Sequence, residues 1–132
     1  MKTPLWVPSD ERKRDANITR FIHEINARHG LNLQSYPELY SWSIENIPDF
    51  WAAMWDFGEI KASRPFDRVV EDLTKFPGAT WFPGARLNFA ENLLRYRDDQ
   101  LAFIFRGETQ TSRQMTYAEL YDAVARLARS LR

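Results

Sequence analysis

The sequence predicts an α+β fold: a mostly helical N-terminal segment, a long irregular crossing segment, one β-hairpin and a final helix. Three observations lead there. Apolar residues recur at helical spacing over the first part of the chain, each stretch opening on residues suited to capping. Residues 59–87 then hold Pro65, Pro77-Gly78 and Pro83-Gly84, which interrupt regular structure. Leu101 to Phe105 is a run of consecutive apolar residues, and Gly107-Glu108 can turn it back on itself.

Ser9 is the expected N-cap of the first helix, with Asp10 and Glu11 at its positive end. Ile18, Phe21, Ile22, Ile25 and His29 form one apolar stripe, and Gly30 can close the helix in a left-handed conformation. One helix is therefore predicted over about 10–29. Ser35-Tyr36-Pro37-Glu38 has capping-box spacing and opens a short helix through about Trp42. Pro48 falls in the first turn of the next, where a missing amide proton costs little. Ile47, Phe50, Trp51, Met54 and Trp55 give that helix an apolar face, and Gly58 ends it.

In the crossing segment, Phe66, Val69, Val70 and Leu73 suit either a turn of helix or a short strand. Pro83-Gly84 is a turn pair, since Pro fixes one φ and Gly tolerates a positive one. Asn88 is the expected N-cap of a following helix, with Glu91 placed to reach back to its amide. Leu101 to Phe105 reads as a strand buried on both faces, with Thr109 to Met115 as its partner. Thr116 and Glu119 repeat the capping box, and Leu120, Val124, Leu127 and Leu131 line one face of the last helix. That helix reaches Leu131-Arg132 with no Gly, Asn or Pro to close it, and a lone hairpin is marginal in water. Both features lead us to expect a partial domain of a larger protein.

The 132 residues suit one domain with a modest core. Lys plus Arg and Asp plus Glu number 18 each, a balance that argues against a nucleic-acid or anionic-membrane surface. There is no cysteine, so disulfides and thiolate metal sites are excluded. No apolar run approaches the roughly 18–20 residues of a membrane span, and the polar start around Ser9 to Arg14 lacks a signal peptide's apolar core. A cytoplasmic location is expected. Aromatic residues reach 14%, enough that core packing alone need not account for them all.

His23 and His29 lie six apart on a helix, about 240° around the axis, and cannot share a metal. We expect His29 to meet the helix dipole and His23 to be solvated. Asp98-Asp99 and Glu71-Asp72 are adjacent carboxylates whose side chains point apart, expected as solvated turn charges. Glu11-Arg12-Lys13-Arg14 reads as a solvated helix face. Trp42, Phe50, Trp51, Trp55 and Phe57 suit core packing, or an interface to further protein; a base-stacking platform would need basic partners. Arg86, beside Trp81-Phe82-Pro83, can stack on a ring or hold a carboxylate. The five glycines are scattered, so no phosphate loop is formed.

Four patches carry a family resemblance. They are Leu5-Trp6-Val7-Pro8-Ser9; Ser35 to Ser43 running into Asp49-Phe50-Trp51 and Trp55-Asp56-Phe57; Trp81 to Leu94; and Met115-Thr116-Tyr117-Ala118-Glu119-Leu120. Together they resemble the N-terminal region of the AMP-forming acid–thiol ligases, in the acetyl- and acetoacetyl-coenzyme A synthetase branch of the adenylate-forming superfamily. The resemblance implies a two-step reaction in the full enzyme. A carboxylate attacks ATP to give acyl-adenylate and pyrophosphate, and the thiol of coenzyme A then displaces AMP. ATP, Mg²⁺ and coenzyme A are thus implied for the full-length enzyme, none of them bound by this segment.

The family's Thr/Ser/Gly-rich ATP loop and its adenylation lysine have no match in the sequence, so no catalytic, cofactor-binding or metal residue carries over. Residues 1–95 correspond to the acetyl-coenzyme A synthetase-type N-terminal domain and 96–132 to the start of the AMP-binding domain. The expected role is scaffold, inactive alone, with the rest of the polypeptide as partner and self-association through exposed aromatics. In the full enzyme the Arg86 turn is a candidate contact with the mobile C-terminal domain. The alternatives are a free-standing interaction module of the same ancestry, and a small enzyme, which the absent glycine loop and acid–base pair disfavour.

Overall fold

The computed structural model describes residues 5–109 and 111–131. The chain divides into two compact units, one built from residues up to Ile60 with Asp67–Pro83, the other from Lys61–Phe66 with the chain from Gly84 onward.

The first unit is helical. α1 (Asp10–Arg14) opens on Ser9, whose side chain accepts from the Arg12 amide, and α2 (Asn17–His29) follows. The single helix predicted over 10–29 is therefore two. Ala16 is extended at φ −65°, ψ 140°, and the Thr19 hydroxyl donates to the Lys13 carbonyl at the break. A local side-chain bond of that kind competes with continuation of the helix. Gly30 closes α2 in the left-handed conformation at φ 65°, as expected.

α3 (Tyr36–Glu45) runs three residues beyond the predicted end, and its capping box is displaced. The Glu38 carboxylate accepts from the Gln34 amide, and Ser35 makes no side-chain cap. α4 (Ile47–Phe57) carries Pro48 in its first turn and Gly58 at its end. Asn46 terminates α3 and opens α4, its amide donating to the Trp42 carbonyl at 2.9 Å.

Phe21 and Ile25 of α2, Leu39 of α3 and Ala53 of α4 are buried together, with Ile22, Leu31, Leu33, Trp42, Phe50, Met54 and Phe57 packed around them. Phe21 meets Phe50 and Phe57 edge-on, with centroids 5.9 and 5.0 Å away. The side-chain amide of Asn26 spans the turn after α2: its Nδ2 donates to the Leu33 carbonyl at 2.9 Å, and its Oδ1 accepts from the Leu33 amide at 2.8 Å.

The crossing segment is irregular, as predicted. Within it, Val70 forms a single antiparallel bridge with Trp81, neither a helical turn nor a full strand. Bonds from the Asp67 amide to Pro83 O, the Glu71 amide to Thr80 O and the Phe82 amide to Val69 O close residues 67–83 into one loop.

The second unit begins with residues 61–66 running beside 84–86. Arg64 and Arg86 form an antiparallel bridge, and the Arg86 carbonyl also accepts from the Ser63 amide at 2.8 Å. Gly84 takes φ 86°, consistent with the predicted turn. α5 (Phe89–Leu93) is capped by Asn88, whose side chain accepts from the Ala90 and Glu91 amides; Glu91 does not return the bond. Asn92 repeats the two-bond pattern of Asn26, pairing with both the amide and the carbonyl of Lys61 at 2.8 Å.

β1 (Leu101–Phe105) and β2 (Arg113–Thr116) form an antiparallel hairpin, with Phe103 opposite Met115 and Phe105 opposite Arg113. The partner strand starts later than the predicted Thr109, and Gln110 lies outside the described residues. β1 is not buried on both faces. Leu101, Phe103, Ile104 and Phe105 are 48, 57, 57 and 50% exposed, because a two-stranded sheet offers no layer to cover both sides.

α6 (Tyr117–Ser130) carries the complete capping box: the Glu119 amide donates to Thr116 Oγ1 at 3.2 Å, and the Thr116 amide donates to Glu119 Oε2 at 2.9 Å. Its next two free amides, of Tyr117 and Ala118, donate to the carbonyls of Gln100 and Asp98. Leu120 and Val124 are half-buried, whereas Leu127 and Leu131 of the predicted stripe are exposed.

Three substitutions have defined stability outcomes. Ile25→Ala removes the fully buried side chain and costs about 2–5 kcal/mol in urea unfolding. Ile18→Ala, on the exposed edge of the same stripe, stays within about 0.5 kcal/mol; equal losses would contradict the observed core. Thr116→Ala loses the cap of α6 and costs about 1 kcal/mol in the same measurement.

Candidate functional site

The aromatic residues of the first unit separate onto two sides of α4. Phe50 and Phe57 turn toward Phe21 and the core, and Trp42 lies with its ring 5.1 Å from that of His29. Trp51 and Trp55 face the 67–83 loop, meeting Trp81 at 6.0 Å and Phe82 at 4.9 Å between ring centroids. The loop bonds described above present Trp81 and Phe82 to the helix, and Phe82 accepts a left-handed backbone, φ 48°, to do so. A non-glycine residue pays strain there, so packing must hold it.

Trp51, Trp81 and Phe82 line a shallow cavity of about 280 Å³ with almost entirely apolar walls. Trp51 and Trp81 remain over 40% exposed, so this slot is open to solvent and not closed core. The packing reading holds for Trp42, Phe50 and Phe57, whereas Trp51 lines the slot and Trp55 meets Phe82 beside it.

His23 is exposed, on α2. His29 occupies the last turn of α2 as expected, but its Nε2 is buried without a hydrogen-bond partner against the Trp42 ring. Glu71 pairs with Arg68 at 3.4 Å, while Asp72 turns back on its own loop. The Thr74 hydroxyl and then its amide hold the Asp72 carboxyl below its ordinary range. Asp98 Oδ1 accepts from the Gln100 amide, and its carbonyl anchors α6. Asp10 and Lys13 pair on α1, where Glu11, Arg12 and Arg14 stay exposed and Arg12 approaches the Trp6 ring. Among the described residues the Arg86 side chain makes neither the ring stack nor the carboxylate pair open to it, while its backbone pairs with Arg64 and Ser63.

No group of three His, Cys, Asp or Glu among the described residues could hold a metal, and none of their helices is long and apolar enough to cross a membrane. The Asn26 and Asn92 pairings were not legible in the sequence, because their partners depend on where distant backbone comes to rest.

The titration of Asp72 can be checked directly. A lowered folded-state pKa adds stability above the ordinary carboxylate value, and that stability is lost as pH falls through the lowered one. Thr74→Val removes the larger cause, so the Asp72 midpoint followed by carboxyl-carbon NMR shifts upward. An unchanged midpoint would refute the hydroxyl's role.

Several known proteins are similar to this chain. Residues 36–93 match the family model described as the acetyl-coenzyme A synthetase N-terminus. Acetoacetyl-CoA synthetase of Danio rerio is 37% identical over 131 residues, covering 97% of this chain and 19% of that protein. The acetoacetyl-coenzyme A synthetase of Rhizobium meliloti is 36% identical, covering 98% of the chain and 20% of its own length. A solved structure of the acetoacetyl-CoA synthetase from Streptomyces lividans superposes with a TM-score of 0.86 at 39% identity, over 98% of this chain and 21% of that one. The chain spans about a fifth of the length of the relatives it matches. Residues 36–93 thus match the acetyl-coenzyme A synthetase N-terminus family, and the chain is similar to the N-terminal region of acetoacetyl-coenzyme A synthetases along nearly all of its length.

Proposed function

We propose that this chain is the N-terminal part of a cytoplasmic, ATP-dependent, AMP-forming acid–thiol ligase that joins acetoacetate to coenzyme A. The observation carrying this reading is the near-complete overlap of the chain with about a fifth of several proteins named acetoacetyl-CoA synthetase, at 36–39% identity. Residues 1–95 serve as the N-terminal domain of that ligase and 96–132 as the opening of its AMP-binding domain.

The segment acts as scaffold. Its buried residues build a helical core, its bonded asparagines and caps fix the crossing chain, and its exposed aromatics face further protein of the same polypeptide. ATP, Mg²⁺ and coenzyme A are then handled by residues outside this chain, which supply the acyl-adenylate and thioester chemistry. The acid-binding pocket lies there too.

Assay of the full-length protein carrying this sequence tests the reading. With ATP, Mg²⁺ and coenzyme A, acetoacetate is expected to drive pyrophosphate release and thioester formation, with kcat/KM at least about tenfold above that for acetate. The 132-residue chain alone is expected to release none. Turnover that prefers another acid would sink the substrate assignment, and pyrophosphate release by the short chain would sink the scaffold role.

A further inference from the structure

The break at Ala16 separates α1 from α2, and the corner between them holds a cavity of about 370 Å³. That is within the usual range of small-molecule sites, roughly 300–1,000 Å³. Its walls are mostly apolar, supplied by Trp6, Pro8, Ala16 and Ile18. Trp6 and Ile18 are 68 and 43% exposed, so the cavity stands open to solvent. Three polar side chains also reach it, and two are already engaged. Lys13 pairs with Asp10 at 3.0 Å, and the Thr19 hydroxyl donates to the Lys13 carbonyl. Arg12 is different. Its guanidinium makes no ion pair among the described residues and lies 6.0 Å from the centre of the Trp6 ring. Glu11 and Asp15, the other acids of this stretch, are not part of the lining.

One uncommitted cation beside an apolar wall suits an anion with an apolar body. A guanidinium presents a fork of donors that holds a carboxylate through two parallel bonds. A nucleotide is poorly matched, because its phosphates call for several cations or clustered amides. We propose that the cavity binds a medium-chain monocarboxylic acid, its carboxylate on Arg12 and its aliphatic tail along Trp6, Pro8 and Ile18. This is a second acid site, apart from the acid-binding pocket of the proposed ligase, and it stands without that reading.

Calorimetric titration of the full-length protein with decanoate, kept below its micelle concentration, tests this. Decanoate should bind saturably, and Arg12→Gln should weaken it about tenfold, as loss of a charge-assisted pair does. Arg12→Lys keeps the charge and should recover part of that affinity. Decanol, with the same tail and no charge, should bind the unaltered protein as weakly as decanoate binds the Arg12→Gln protein. No binding to the full-length protein, or equal binding with and without Arg12, would overturn the proposal. So would a lysine variant as weak as the glutamine one, or decanol bound as tightly as decanoate. Decyl phosphate bound more tightly than decanoate would assign the cavity to phosphate and overturn it equally. Acetoacetate-dependent turnover should be unchanged in Arg12→Gln. A failed titration with intact turnover defeats this site alone, and Arg12-dependent decanoate binding without turnover defeats the substrate assignment alone.

Discussion

The burial of Phe21 and Ile25 against Leu39 and Ala53 is the constraint on which the helical unit depends. Ile25 is fully enclosed, and Ala53 is what lets α4 come close enough to enclose it. A larger residue there would hold the helices apart, and the edge-on contacts of Phe21 with Phe50 and Phe57 would open with them. Once α4 is seated, its opposite side carries Trp51 and Trp55 outward, where the 67–83 loop brings Trp81 and Phe82 to meet them. The aromatic slot is thus a consequence of the core: the same helix that closes one surface presents another.

The second unit is organised on a different principle. Among its described residues only Leu94 is buried, so hydrogen bonds to backbone define its shape more than apolar contact does. Asn92 fixes Lys61, Asn88 caps α5, Arg86 pairs with Arg64, and Thr116 with Glu119 opens α6. The ring of Tyr117 meets Tyr96, and Arg97 lies 3.9 Å over the ring of Tyr121, which keeps the stretch before β1 against the start of α6. Such bonds set geometry well but add little net stability each, since water competes for the same groups. A unit so held, with so much apolar surface left open, gains most from whatever covers it.

This division suits a part of a larger enzyme. The families of protein that match here place about four-fifths of their length outside the region this chain covers. An apolar strand, an exposed stripe on α6 and an aromatic slot are costly features for a small free domain. They become ordinary once further chain of the same polypeptide covers them.

Much of this architecture was legible in the sequence, because much of it is local. Caps at Ser9, Asn88 and Thr116, the left-handed close at Gly30 and the turn at Gly84 depend on bonds and φ angles within a few residues. The family patches were equally legible, being runs of residue identity. What the sequence could not reveal was set by contacts between distant positions. The break at Ala16, the redirected Glu38, the clamps of Asn26 and Asn92 and the inward choice of Ala53 over Trp51 each depend on which backbone or face lies opposite. Apolar content marked Leu101 to Phe105 as a strand for burial, and only the fold decided that it stays half exposed in a two-stranded hairpin, because burial belongs to neighbours and not to a residue alone.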